Sequence, residues 1–160
     1  MRIFGEVKYQ SLLFQDVLPL VEYSIPNFRE VLTDNNTYLG INPDSGKGSL
    51  NVQRPHTSPD GKTIVIPDIQ VFENLQGENG ARVRTFIWLH EFGHVVHLTK
   101  NIDWEEWAYH TGRELDLKEK IGGNNYWYIP AYEQFANDIY GQIMRKNLGY
   151  IYRKIFNLVW

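Results

Sequence analysis

Ala81-Arg-Val-Arg-Thr-Phe-Ile-Trp-Leu-His90-Glu91-Phe92-Gly93-His94-Val-Val-His97-Leu-Thr99 runs without a proline, and Val83, Phe86, Ile87, Leu89, Phe92, Val95, Val96 and Leu98 supply apolar positions on more than one face. The length and spacing predict one helix over 81–99, preceded by Gly80. A helix apolar over most of its circumference is a buried one, yet this one keeps His90, Glu91 and His94 at its centre. Buried helices rarely carry three polar residues together without a use for them.

Outward from that helix, the N-terminal flank changes period. Residues 11–33 read as one or two short helices with Leu12, Leu13, Val17, Leu18, Leu20 and Val21 buried, broken at Pro19 and Pro26. Tyr38–Ile41, Ser49–Val52 and Thr63–Ile66 read as strands, separated by the turn-rich stretches 42–48 and Ser58-Pro-Asp-Gly61. The last strand is expected to extend towards Phe72, bent or at a sheet edge because Pro67 cannot donate to a ladder. On the C-terminal flank a charged helix is expected over Trp104–Lys120, a loop at Gly122-Gly-Asn-Asn125, a helix over Pro130–Lys146, and an apolar segment from Ile151 to Trp160. The expected architecture is α+β: a small mixed sheet packed on the histidine-bearing helix and on a later helix carrying Glu133, all in a single domain over 1–160.

Composition narrows the chemistry. A chain of 160 residues can bury about 70% of its unfolded surface without staples. The absence of cysteine removes disulfides and thiolate-bound metal, so any metal site must use His, Asp or Glu. A net charge of -3 argues against a nucleic-acid partner, and no apolar run approaches a membrane span. Residues 1–11 do not form a signal-peptide pattern; a cytoplasmic location is the default expectation, with secretion or phage association as the alternatives. Gly40 to Gly48 superficially suggests a phosphate loop, but the spacing of its glycines is wrong and Gly48 stands where a hydroxyl is needed; a turn is expected.

His90-Glu91-Phe92-Gly93-His94 is an HExxH pattern. Residues four apart lie one above the other on a helix, so both imidazoles reach one ion, expected to be Zn2+, while Glu91 stands one step round as the expected general base. Zinc lowers the pKa of a bound water towards neutrality, and a neighbouring carboxylate can take its proton for attack on a carbonyl. Gly93 would let another backbone approach closely.

A catalytic zinc site usually takes a third protein ligand. A histidine six residues after the second is ruled out because Lys100 stands there. His97 is expected to support the site or to lie at the surface, and Asp103 and His110 carry no local pattern. Glu114, twenty residues past His94, is a rival within a charge-alternating stretch that looks exposed. Glu133 is the better choice, because Ala136 and Asn137 one turn on provide a small and a polar residue where one helix crosses another closely.

HEFGH followed 39 residues later by Glu133-Gln-Phe-Ala136 resembles the catalytic core of the anthrax lethal factor-like metallopeptidases, including the Pro-Pro endopeptidases, over roughly Phe86 to Tyr140. That resemblance implies a zincin-like gluzincin domain, Glu133 as third zinc ligand, and Tyr126, seven residues earlier, as the donor to the oxyanion. Asn137 departs from the acidic residue that relatives often carry, and with Glu133 and Ala136 it gives a weaker resemblance to the ImmA/IrrE-type peptidases. The expected function is zinc-dependent endopeptidase activity on a peptide or protein substrate. The alternative is a non-catalytic zinc-containing structural or binding module of a phage or mobile element. Retention of Glu91 argues against it, since binding needs ligands but no base.

Overall fold

The computed structural model describes residues 1–40, 54–67, 77–113 and 128–158. Helices and strands are mixed, as expected for an α+β chain. The strands are β1 (Arg2–Phe4), β2 (Asn36–Leu39), β3 (His56–Thr57) and β4 (Thr63–Ile66), in the order β1-β2-β4-β3. β1, β2 and β4 run parallel, and β3 closes the sheet antiparallel to β4. Parallel neighbours need a crossover, and between β1 and β2 it is helical: α1 (Val7–Leu12), a π turn (Leu13–Val17), α2 (Leu18–Ser24) and α3 (Phe28–Val31).

One expectation is corrected here: Pro19 does not break the first helical stretch. A proline has no N–H and crowds the carbonyl four residues back; the chain absorbs this by widening one turn, so that the Leu18 amide bonds the Leu13 carbonyl. The described part of the last strand, Thr63–Ile66, lies inside the sheet, with β2 on one side and β3 on the other. Ile64, Val65 and Ile66 are all buried, as suits a strand covered on both faces. The expected strand Ser49–Val52 and the extension of β4 beyond Pro67 lie outside the described residues.

α4 (Gly77–Thr99) is the central rod, packed against the sheet, the N-terminal helices and α6 (Tyr128–Met144). Trp88, Leu89, Phe92 and Val96 are fully enclosed, and Trp88, Phe92 and Phe156 form a stacked series with centroids 5.6 and 6.1 Å apart. On the far end of α4, Arg84 reaches Asp16 of the π turn at 2.6 to 2.7 Å.

α5 (Trp104–Thr111) is shorter than the predicted 104–120. Asp103 caps its start by accepting from the Glu106 amide, and Gly112, at φ 69°, ends it in the left-handed region that glycine takes without strain. α7 (Tyr150–Ile155) then packs back on α5. Arg113 grips Asp138 of α6 through two bonds of 2.7 and 2.9 Å, and Asp138 also accepts from the Tyr152 hydroxyl, itself bonded by the Trp107 indole N–H. This partly buried network ties α6 to α5 and α7. No helix among the described residues is long and apolar enough to cross a membrane.

Candidate metal centre

His90 and His94 leave one face of α4 towards α6, where Glu133 meets them. Glu133 Oε2 lies 3.0 Å from His90 Nε2, its Oε1 lies 3.2 Å from His94 Nε2, and the two Nε2 atoms are 3.0 Å apart. Four-coordinate zinc with bonds of about 2.05 Å would ask for donor spacings of about 3.3 Å. The three groups are therefore spaced to hold one ion.

What brings the helices so close is the pair of small residues between these donors. A Cβ added at Gly93 would fall 2.6 Å from the Ala136 Cα and 3.0 Å from its Cβ. The expected close approach at Gly93 is thus present, and Ala136 is the residue that approaches.

The outer nitrogens of both rings are also committed. His90 Nδ1 lies 2.9 Å from Asn137 Oδ1, one turn beyond Glu133, and His94 Nδ1 lies 2.9 Å from His97 Nε2. An amide oxygen can only accept, so His90 donates from Nδ1, and in the neutral ring the lone pair then lies on Nε2. His97 sits face to face with Tyr132, ring centroids 4.1 Å apart. Burial, and then the neighbouring His94, push its pKa down to about 4. A neutral His97 can accept at Nε2, and in that arrangement His94 has the same tautomer as His90. Burial likewise lowers the His94 pKa, with His90 adding to the effect. With both rings neutral, two imidazole lone pairs and a carboxylate converge at hydrogen-bond distance, an arrangement that a cation could satisfy.

Glu91 is buried on the β3 side of α4. Thr57 Oγ1 lies 2.6 Å from its Oε2 and 3.1 Å from its main-chain oxygen. Burial raises the carboxyl pKa, opposed chiefly by the Thr57 hydrogen bond and the His90 charge. Glu91 faces an open cleft of about 380 Å³ whose walls include His90, His94 and Glu133 on one side and Arg54 to Thr57 on the other. The Glu133 side chain is 54% exposed, so the convergence point is accessible.

The other sequence candidates fall elsewhere. Asp103 is a helix cap and His110 packs against Tyr109 and Tyr150, so neither reaches the cluster. Tyr126 and Glu114 lie outside the described residues. Thr57 was not singled out by sequence, since a two-residue strand has no periodicity to read. No family model, curated protein or solved structure matches this chain.

Proposed function

We propose that this chain is a zinc-dependent endopeptidase, with His90, His94 and Glu133 as the metal ligands and Glu91 as the general base. One observation carries the reading: three electron-pair donors from two helices converge within 3.2 Å, with a buried carboxylate next to them in an open cleft. Zinc held there would supply Lewis acidity towards water and towards the scissile carbonyl.

The rest is the work of the chain's own residues. Asn137 and His97 keep the ligand rings in the tautomer with Nε2 free, an orienting role typical of the partners around metal ligands. Glu91, its pKa raised by burial, takes a proton from the attacking water and delivers it to the departing amine as the C–N bond breaks, yielding a carboxylic acid and a free amine. β3, the terminal strand among those described, borders the cleft, and an extended peptide pairing along it would pass the convergence point.

A peptide-library digest comparing wild type with Glu91→Ala, alongside metal analysis of both and of Glu133→Ala, tests this. Wild type should cleave, Glu91→Ala should hold zinc but lose about 10²- to 10⁴-fold in turnover, and Glu133→Ala should lose zinc. Equal cleavage by wild type and Glu91→Ala, or full zinc occupancy in Glu133→Ala, would overturn it.

A further inference from the structure

We infer that Thr57 is the positioning residue of this site: its hydroxyl fixes the Glu91 carboxylate while its main chain meets the substrate, so that one residue sets the base and the scissile bond in register. The inference rests on the hydrolytic reading above. A threonine hydroxyl has one proton to give, and the shorter of its two contacts, 2.6 Å, is to the Glu91 carboxylate. A bond to an ionised acceptor is about twice as strong as a neutral one. It ties down a side chain with three rotatable bonds and occupies Oε2, leaving Oε1, which no described residue bonds, for the water.

The strand register supplies the second half. Thr57 stands opposite Ile64, and the adjoining ladder bond is made by the Ser58 amide to the Thr63 carbonyl. In an antiparallel pair, bonded and non-bonded pairs alternate. Thr57 is therefore in a non-bonded pair, and its own N–H and C=O point away from β4, towards the side on which a further strand would add. The hairpin behind it is braced. Asp60 Oδ1 accepts from the Ser58 hydroxyl and the Lys62 amide, and Gly61, at φ 72°, lies so close to Thr99 and Leu98 of α4 that a Cβ there would meet them at 2.8 and 3.0 Å. A one-residue slip of β3 would take the Thr57 side chain to the other face of the sheet and release Glu91.

Two substitutions separate the hydroxyl from the shape: Thr57→Val keeps the volume, and Thr57→Ser keeps the hydroxyl. With zinc-loaded full-length protein and a peptide that wild type cleaves, Thr57→Val should lower kcat about 10- to 100-fold, the scale of a misplaced reacting group, with KM and zinc content close to wild type. Thr57→Ser should restore most of that loss. Independently of turnover, a double-mutant cycle of Thr57→Val and Glu91→Ala in denaturant unfolding should show a coupling of about tenfold in the unfolding constant, as expected for a bond to a charged group. Wild-type turnover in Thr57→Val, a loss that serine does not restore, or additive effects in the cycle would each overturn the inference while leaving the hydrolytic reading intact. A wild-type chain that cleaves no peptide sinks the hydrolytic reading, and the role given to Thr57 falls with it.

Discussion

Gly93→Ala adds one methyl at the crossing of α4 and α6, and its effect can be worked from distances. The new Cβ would lie 2.6 Å from the Ala136 Cα, whereas ordinary contact begins at 3.4 Å, so the helices must separate by about 0.8 Å. Both atoms belong to helices that carry the site: Gly93 lies between His90 and His94, and Ala136 stands one turn after Glu133. Donor spacings of 3.0 to 3.2 Å would open towards 4 Å, whereas metal-ligand distances tolerate about 0.2 Å. For global stability two terms oppose each other, since alanine gains about 1 kcal/mol of helix propensity over glycine and overpacking costs about 1–3 kcal/mol. The expected outcome is a variant that folds with a small shift in its thermal midpoint but binds zinc about 10- to 100-fold more weakly, the range seen when support around a ligand is lost. Chelator-competition titration and thermal melts of the zinc-free protein measure the two effects separately. Wild-type zinc affinity in Gly93→Ala would refute the claim that this contact sets the ligand geometry.

Asn137→Leu should weaken zinc binding about 10-fold or more, because His90 loses the acceptor that fixes its tautomer; unchanged affinity in the same titration would count against it. The His97 pKa falls from 6.5 in the unfolded chain to about 4 in the folded one. The unfolded state thus takes up protons first, and the contribution is whole above pH 6.5 and is lost as pH falls towards 4. Denaturant midpoints of zinc-free wild type and His97→Gln should diverge across that window, the variant losing less; parallel profiles would contradict the assignment. Asp16→Ala removes the carboxylate that the Arg84 guanidinium bonds at 2.6 to 2.7 Å, and should cost about 1.5–3 kcal/mol in unfolding free energy, the scale of a hydrogen bond to a charged group. Asp16→Leu combined with Arg84→Met should recover most of it.

The parts of this molecule that were legible in its sequence are those in which one residue's neighbours along the chain are also its neighbours in space. His90, Glu91 and His94 share a helix, so their spacing alone predicts their convergence. Gly93 and Ala136 are legible in a weaker way, as small residues where a crossing is needed. Thr63-Ile-Val-Ile66 was legible as a strand but not in its place in the sheet: Pro67 allowed an edge, whereas the apolar run suits a strand covered on both faces, which is where it lies. The helix after Trp104 stops at Gly112 although its charge pattern continues, because a left-handed residue ends a helix whatever follows it. Thr57 was hidden for a different reason: its role depends on which atoms of a distant element face it, and a two-residue strand does not announce that. His97, one turn past His94 on the same helix, could be expected beside the site, and it lies 2.9 Å from the His94 ring.

The donors of the candidate centre come from two helices, and Glu133 follows His94 by 39 residues. An ion seated between them would act as a clasp on the chain, closing a loop otherwise held by the packing of Gly93 on Ala136, the His90–Asn137 bond and the stack of His97 on Tyr132. A ligand that binds the folded form alone stabilises it by mass action, about 2.7 kcal/mol at a hundredfold excess over its dissociation constant. Persistence of the folded chain would then rise and fall with the free zinc around it, and the same three side chains would serve as the protein's gauge of its surroundings.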